Sequence, residues 1–270
     1  MTASVDGPDR WIRRFHQSLP GSVRLMCFPH AAGSAAYYFG LSQRLSPQVE
    51  VLAVQYPGRT DRRLEGFIEN IPDLSSRVFD AVGPWAQQPF ALFGHSMGAV
   101  VAFEVARRFQ GQTDKLPVRL FVSGWPAPSV PQRERIDISD DASLVAELRL
   151  LGGTDPQILE DAELRALILP VARADYRAIG TYSWVPGAPL GCPITAMIGN
   201  ADPRVSVEDT LRWREHSVAG FDLNVFGGGH FYLDKHQPAL AGLITESLRD
   251  VAPGNARPAA PAARGASSLP

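Results

Sequence analysis

Cysteine, lysine and long apolar segments are scarce in this sequence of 270 residues. Two cysteines, Cys27 and Cys192, are too few for a disulfide framework and are typical of a reducing compartment. Only Lys115 and Lys235 are lysines, and the net charge of −2 argues against general binding to nucleic acid or to anionic membranes. No apolar run approaches the ~20 residues of a membrane span, and the start lacks the basic and apolar regions of a signal peptide. We therefore expect a soluble cytoplasmic protein.

Short β-rich segments alternate with helical ones along most of the chain. The predicted strands cover residues 23–28, 49–55, 90–93, 118–123, 194–198 and 223–226. The predicted helices cover residues 34–45, 73–86, 97–109, 207–216 and 238–250. Such alternation indicates βαβ units, and hence an α/β fold whose mainly parallel sheet has helices on both faces. We expect one domain over residues 1–251, a length that is ordinary for this fold class.

Two segments break the alternation. Residues 127–180 open with a Pro-rich stretch and then carry apolar residues at helical spacing, which predicts an all-helical lid between two strands. A plain surface hairpin is the alternative, although long insertions are more often functional. Residues 252–270 are rich in Pro and Ala and are expected to be a disordered tail.

The stretch ALFGHSMGAVVAF places Ser96 between a predicted strand and a predicted helix, with Gly94 and Gly98 on either side. In a nucleophile elbow the serine occupies a tight, strained turn, and the flanking positions must be small because the strand and the helix pass very close there. The following N–H groups open a helix, whose N-terminus stabilises negative charge. The pattern of residues alone is weak, but its strand–turn–helix context predicts that Ser96 is a nucleophile.

A nucleophilic serine needs a base and an acid that orients the base. In this architecture both follow later strands, in the order Ser, acid, His. Asp202 follows the strand of ITAMIGNADPRV, and His230 follows the strand of LNVFGGGHFYL, so we predict Asp202 as the acid and His230 as the base. Asp202 before Pro203 could instead only start a turn. Other acids and histidines are weaker candidates because they lie within or beside predicted elements: Asp209, Asp222, His216 and His236.

An oxyanion hole needs two N–H donors that point into the site. One should be the N–H of Met97, next to the nucleophile, and the other should come from the loop after the first predicted strand. That loop reads CFPHAAGSAAYY, in which small residues allow a substrate carbonyl to approach the backbone. We predict Ala31 as the second donor, with Ala32 as the alternative. His30 could add a polar contact or stabilise the loop.

Together the segments LMCFPHAAGSAAYY, VLAVQYPGR, FALFGHSMGAVVAFEVARR, LFVSGWPAP, MIGNADPRV and GGGHFYL resemble the type II thioesterases, the stand-alone editing hydrolases of polyketide and nonribosomal peptide synthases. The resemblance covers about residues 11–250. PHAAGSA followed by YPGR is its most specific part. The family more often has Gly where this chain has Ala32, and a polar pair where it has Asn200-Ala201. Neither departure affects the predicted triad.

The resemblance implies an α/β-hydrolase fold with a helical lid and no metal or cofactor. It also implies that an acyl group moves from the phosphopantetheine arm of an acyl or peptidyl carrier protein to Ser96 and is released by water, which clears misprimed or stalled chains. We expect a monomer. A carboxylesterase or C–C bond hydrolase with the same triad is the alternative; a non-catalytic binding module is less consistent with a complete triad.

Carrier proteins, as the resemblance implies, are acidic and bring a phosphate, so docking to a chain of charge −2 would need a local basic patch. The loop YPGRTDRR places Arg59, Arg62 and Arg63 together after the second predicted strand. Guanidinium groups suit phosphate and carboxylate groups. These arginines are therefore candidate carrier contacts. They could instead pair with Asp61 and Glu65, or anchor the loop.

Overall fold

The computed structural model describes residues 10–131, 136 and 138–249. Seven strands form one sheet in the order β1-β3-β2-β4-β5-β6-β7. Their bounds are Ile12–Arg13, Val23–Phe28, Val49–Val54, Phe90–His95, Leu120–Ser123, Ile194–Gly199 and Phe221–Phe226, numbered in chain order. Only β1 is antiparallel to its neighbour, and the other pairs of strands are parallel. The predicted α/β class with a mainly parallel sheet is confirmed.

Eight α-helices accompany the sheet within the described residues. Their bounds, from α1 to α8, are Phe39–Leu45, Ile71–Val82, Met97–Gln112, Asp141–Leu151, Pro156–Glu160, Ala162–Gly180, Val207–Leu211 and Gln237–Leu248. Several predicted helices are shorter as α-helix because one end is a 3-10 turn; Arg212–His216, for example, continues α7 in this form. None of the helices in the described ranges combines the length and apolarity that crossing a membrane requires.

The helices cover both faces of the sheet because side chains alternate along each buried strand. Along β2, Met26 and Phe28 join a core shared with α2 and α3. Leu25 and Cys27 point to the opposite face and join a second core, which is shared with α1 and α8. Cys27 is fully buried, and burial raises the pKa of its thiol well above the usual value. Such an environment indicates an inert, structural thiol.

The predicted helical lid is present as α4, α5 and α6, which lie between β5 and β6 in the chain. Each helix has an aspartate at its N-cap, Asp140, Asp155 and Asp161 respectively, whose carboxylate accepts from N–H groups of the first turn. The lid has its own small apolar core, built around Leu144, Leu148 and other buried residues. Residues 132–135 and 137 of the insertion, and the predicted tail at 252–270, lie outside the described residues.

Sheet register brings the predicted site loops to one edge. Phe28 on β2 lies beside Gly94 on β4, and His95 lies beside Ser123 on β5. Gly199 on β6 lies beside Phe226 on β7. The loops that carry Ala31, Ser96, Asp202 and His230 therefore all leave the sheet at the carboxyl ends of parallel strands, where open α/β sheets bind ligands.

Candidate active site

Ser96 lies in a strained turn between β4 and α3. Its φ is 54° and its ψ is −124°, a backbone conformation that is costly for a residue with a side chain. A Cβ on Gly94 would lie 2.0 Å from the carbonyl oxygen of Gly98, and a Cβ on Gly98 would lie 1.9 Å from that of Phe28. Only glycine fits at these two positions, which is why the sequence brackets Ser96 with them.

Asp202 and His230 are in contact although 28 residues separate them. Asp202 Oδ2 lies 2.7 Å from His230 Nδ1, and Oδ1 accepts hydrogen bonds from the N–H groups of Arg204 at 2.9 Å and Val205 at 3.2 Å. Asp202 therefore both starts a turn and binds the histidine. Because a carboxylate can only accept, the imidazole donates from Nδ1, and neutral His230 presents an acceptor at Nε2.

His230 Nε2 is buried and has no hydrogen-bond partner among the described residues. Ser96 and His230 nevertheless open into the same cavity, and Ser96 Oγ is not hydrogen-bonded to Nε2 in this structure. Bonds between a nucleophile and its base often tighten only when substrate is bound. The arrangement therefore leaves a free proton acceptor on a residue that shares its cavity with a buried hydroxyl.

The cavity that contains Ser96 and His230 has a volume of about 520 Å³ and lies under the lid. Much of its wall is apolar and comes from the lid and from the loop after β5, including Trp125, Val130, Ile136, Ile138, Leu151 and Ile179. Four charged side chains also line it: Glu147, Arg177, Arg204 and Asp209. Such a space suits an acyl chain with limited polar contacts.

Of the two predicted oxyanion donors, Ala31 lines this cavity and Met97 directly follows Ser96, which also lines it. Met97 is the first residue of α3, so its N–H has no carbonyl one turn earlier in the helix. Ala31, which lines the cavity, belongs to the segment 29–34, here called the oxyanion loop after the role predicted for Ala31. The alternative donor, Ala32, gives its N–H to Asp175 Oδ2 at 2.7 Å. That contact occupies Ala32 and favours Ala31.

Two further histidines lie against the site. His30 Nδ1 lies 2.8 Å from the carbonyl oxygen of Ala31, which is the loop-stabilising role considered for it. Burial, with smaller effects of nearby His230 and Arg59, lowers the pKa of His30 to about 4. His95 is fully buried, with Nδ1 2.9 Å from Ser123 Oγ, which indicates a structural role. Burial also lowers the pKa of His95 well below its usual value.

The predicted arginine patch is corrected by the structure. Arg59 is buried and pairs with Asp175, at 2.5 Å between Nη2 and Oδ1. Arg62 is 2% exposed, pairs with Glu65 and lies over the ring of Trp11. Both guanidinium groups anchor the loop that carries them, because burial of a charge requires partners close by, and both are too deeply buried to form an exposed basic patch. Of the three predicted contacts, only Arg63 is exposed.

Sequence reasoning missed two lid carboxylates that reach the site. Glu147 on α4 pairs with Arg204, whose own N–H binds Asp202. Asp175 on α6 pairs with Arg59 and binds the oxyanion loop. A signal for Asp175 was present in the sequence: it lies four residues after Val171 and four before Ile179, on the apolar stripe of its helix. In the described residues, no group of three His, Cys, Asp or Glu side chains is placed to hold a metal ion.

Comparison with known proteins decides the family. The sequence model of the thioesterase domain matches residues 23–248, which is most of the chain. The chain is a thioesterase of this family. It is thus an enzyme that hydrolyses thioesters, and the predicted resemblance to type II thioesterases is confirmed.

Several relatives of this thioesterase are named for biosynthetic pathways. It is 44% identical over 239 residues to the thioesterase PikA5 of Streptomyces venezuelae, covering 88% of this chain and 85% of that one. The type II thioesterase BorB from the borrelidin biosynthetic cluster superposes with a TM-score of 0.83 at 46% identity, covering 89% and 98% of the two chains. YbtT, a type II thioesterase of a yersiniabactin NRPS/PKS pathway, gives 0.81 at 27% identity, covering 89% and 99%. The α/β-hydrolase fold is confirmed by these neighbours.

Proposed function

We propose that this thioesterase removes acyl groups from the phosphopantetheine arm of carrier proteins and so clears misprimed or stalled chains from a polyketide or nonribosomal peptide synthase. The observation that carries the proposal is that Ser96, in its strained turn, and His230, bonded to Asp202, open into one lid-covered cavity. Solved type II thioesterases named for a biosynthetic cluster or an NRPS/PKS pathway support the choice of substrate.

The first half of the proposed reaction acylates Ser96. His230 Nε2 takes the proton of Ser96 Oγ as that oxygen attacks the thioester carbonyl, and Asp202 holds the ring in the required tautomer. The carbonyl oxygen becomes an oxyanion that accepts from the N–H groups of Met97 and Ala31, beside the positive end of α3. The C–S bond then breaks, and protonated His230 gives its proton to the leaving thiolate. An acyl ester on Ser96 and a free pantetheine thiol result.

The second half repeats these steps with water. His230 takes a proton from water, whose oxygen attacks the ester carbonyl on Ser96. The oxyanion again lies between Met97 and Ala31, and collapse breaks the bond to Ser96 Oγ, which recovers its proton from His230. The product is a free carboxylic acid. Every proton is carried by His230, so the cycle draws on no group outside the chain other than water.

The test compares substrates that share one acyl group. Hexanoyl-phosphopantetheine on an acyl carrier protein, the hexanoyl thioester of N-acetylcysteamine and 4-nitrophenyl hexanoate would be given to the wild-type enzyme and to Ser96→Ala. We expect the highest kcat/KM on the carrier-bound thioester and a loss of roughly 10⁴-fold or more in kcat for Ser96→Ala.

Two results would contradict the proposal. Equal or faster turnover of the 4-nitrophenyl ester, with no advantage from the carrier, would favour a carboxylesterase. Substantial turnover by Ser96→Ala would mean that another group is the nucleophile. The matched control for the base is His236→Ala, since His236 has its Nε2 2.7 Å from the carbonyl oxygen of Gly227 and does not line the cavity. We expect His230→Ala to lose activity and His236→Ala to keep it.

A further inference from the structure

One buried carboxylate connects the lid to the oxyanion loop. Asp175 lies on lid helix α6 and is 1% exposed. Its Oδ2 accepts from the N–H of Ala32 at 2.7 Å, and its Oδ1 lies 2.5 Å from Arg59 Nη2. Arg59 also donates to the carbonyl oxygen of Gly33 at 3.3 Å. The N–H of Ala32 and the carbonyl of Gly33 are therefore both bound by the Asp175–Arg59 ion pair. Asp175 is the member of that pair that belongs to the lid.

The geometry of the loop indicates why it needs such a partner. The N–H of Gly33 donates to the carbonyl of His30 at 3.0 Å and closes a four-residue turn, and Ala32, the third residue of that turn, has a φ of 62°. Glycine is usual at a turn position with positive φ, and the left-handed conformation costs another residue about 1–2 kcal/mol. Without a compensating contact, Ala32 would favour a negative φ.

The peptide between Ala31 and Ala32 is held at both ends. Its carbonyl accepts from His30 Nδ1 at 2.8 Å, and its N–H donates to Asp175. A hydrogen bond to a buried carboxylate is among the stronger ones and offsets the conformational cost at Ala32. Apolar packing also holds this peptide in place, because Ala31 and Ala32 lie against the lid core that contains Ala172 and Tyr176.

We infer that Asp175 is a positioning residue for the oxyanion hole, and that the Ala31 donor is correctly aimed only while α6 holds the Ala31–Ala32 peptide. The inference rests on the proposed function, in which Ala31 is an oxyanion donor. Loss of the carboxylate lets this peptide rotate and moves Ala31 relative to Met97. Displacement of about 1 Å at such a site, or removal of one donor, lowers rates by about 10²-fold or more.

The test uses Asp175→Asn and Asp175→Ala in the full chain. Asp175→Asn keeps one acceptor oxygen, but its amide N–H groups then face another donor, either Arg59 or the N–H of Ala32. Asp175→Ala removes both contacts. With hexanoyl-N-acetylcysteamine as substrate, we expect kcat to fall by about 10-fold for Asn and about 100-fold for Ala, with KM within about threefold of wild type. The Kd of pentylboronic acid, whose adduct with Ser96 places an oxygen in the hole, should rise by similar factors.

Two further variants separate positioning from general stability. Glu69→Gln removes another ion pair between α6 and the body of the protein, the exposed contact of Glu69 with Arg177 at 2.6 Å, and should leave kcat within about twofold of wild type. Ala32→Gly removes the penalty for positive φ, so adding it to Asp175→Asn or to Asp175→Ala should recover part of the lost kcat. A merely structural role of Asp175 predicts a lower Tm, unchanged kcat and Kd per folded molecule, and no recovery with Ala32→Gly.

The outcomes distinguish this inference from the proposed function. Wild-type kcat and boronic acid affinity in folded Asp175→Asn, together with an inactive Ser96→Ala, would overturn the role of Asp175 alone. An active Ser96→Ala would overturn the proposed function, and the inference with it. If Asp175→Ala does not fold, the comparison uses Asp175→Asn with and without Ala32→Gly. If Asp175→Asn then loses no kcat and Ala32→Gly restores none, the positioning role is refuted.

Discussion

Acidification from pH 8 to pH 5 should destabilise this protein through His30. The ring is 7% exposed and packs between Tyr37 and Phe231, with ring centroids at 4.7 and 4.8 Å. Burial, more than the nearby charges of His230 and Arg59, lowers its pKa from 6.5 to about 4. The unfolded chain therefore binds a proton in a pH range where the folded protein does not. Stability is fully present above pH 6.5 and falls as the pH drops toward about 4.

The size of the effect follows from the two pKa values. A group with a pKa of 6.5 in the unfolded chain and about 4 in the folded one changes the free energy of unfolding by about 3 kcal/mol over the whole range, and by about 2 kcal/mol between pH 8 and pH 5. His95 contributes in the same direction, and Asp175, whose pKa is raised by burial, contributes in the opposite one. The contributions of His95 and Asp175 are the same in wild type and in a His30 variant, so they cancel when the two proteins are compared.

The assay is urea unfolding followed by tryptophan fluorescence at pH 8.0, 6.5 and 5.0. His30→Asn keeps a side-chain donor near the carbonyl of Ala31 and removes the titrating ring. We expect its free energy of unfolding to fall by about 2 kcal/mol less than that of wild type between pH 8 and pH 5. His16→Asn, at a partly exposed ring, controls for loss of a histidine as such. Equal pH dependence in wild type and His30→Asn would refute the reasoning.

Three other predictions concern the acid of the triad, the cavity wall and the strained turn at Ala32. Asp202→Asn should lower kcat by roughly 10⁴-fold because the amide favours the wrong tautomer of the histidine, while Asp222→Asn should retain activity in the same assay. Ile179→Ala removes three carbons from the cavity wall. In competition between octanoyl and acetyl N-acetylcysteamine thioesters, the ratio of their kcat/KM values should therefore shift about tenfold toward octanoyl. An unchanged ratio would exclude this wall from the acyl site. Ala32→Gly should raise Tm by a few degrees, because glycine adopts the φ of 62° at this position without strain. Ala31→Gly should lower Tm. Calorimetry that shows the reverse order would contradict the strain at Ala32.

The fold could be predicted largely from local patterns. Buried parallel strands are short and apolar, and the predicted strand at residues 23–28 matches β2. The antiparallel strand β1 was missed because Ile12–Arg13 is two residues long, too short for any periodic signal. The predicted helix ends were less accurate where the chain continues as a 3-10 turn, because the sequence pattern does not distinguish the two helix types.

The candidate site could be predicted where it follows strand ends and not where it depends on tertiary contacts. Ser96, Asp202 and His230 each lie in a loop after a strand, so parallel pairing alone predicts that they meet. The contact of Asp175 with Arg59 joins residues 116 positions apart and depends on how the lid packs. The arginine loop was misjudged for the same reason, because a cluster of charges has the same sequence whether it faces solvent or, as with Arg62, is buried.

In the proposed reaction Ser96 carries the acyl group, and peptide mapping after a rapid quench tests this most directly. Wild-type enzyme would be mixed with hexanoyl-N-acetylcysteamine, quenched in acid within milliseconds, digested with trypsin and examined by tandem mass spectrometry. The tryptic peptide of residues 78–107 contains Ser96 and no other serine, threonine, tyrosine, lysine or cysteine. We predict one hexanoyl group on that peptide, located at Ser96 and absent from Ser96→Ala. A hexanoyl group on another residue, or turnover without an acylated enzyme under conditions that accumulate product, would contradict the account.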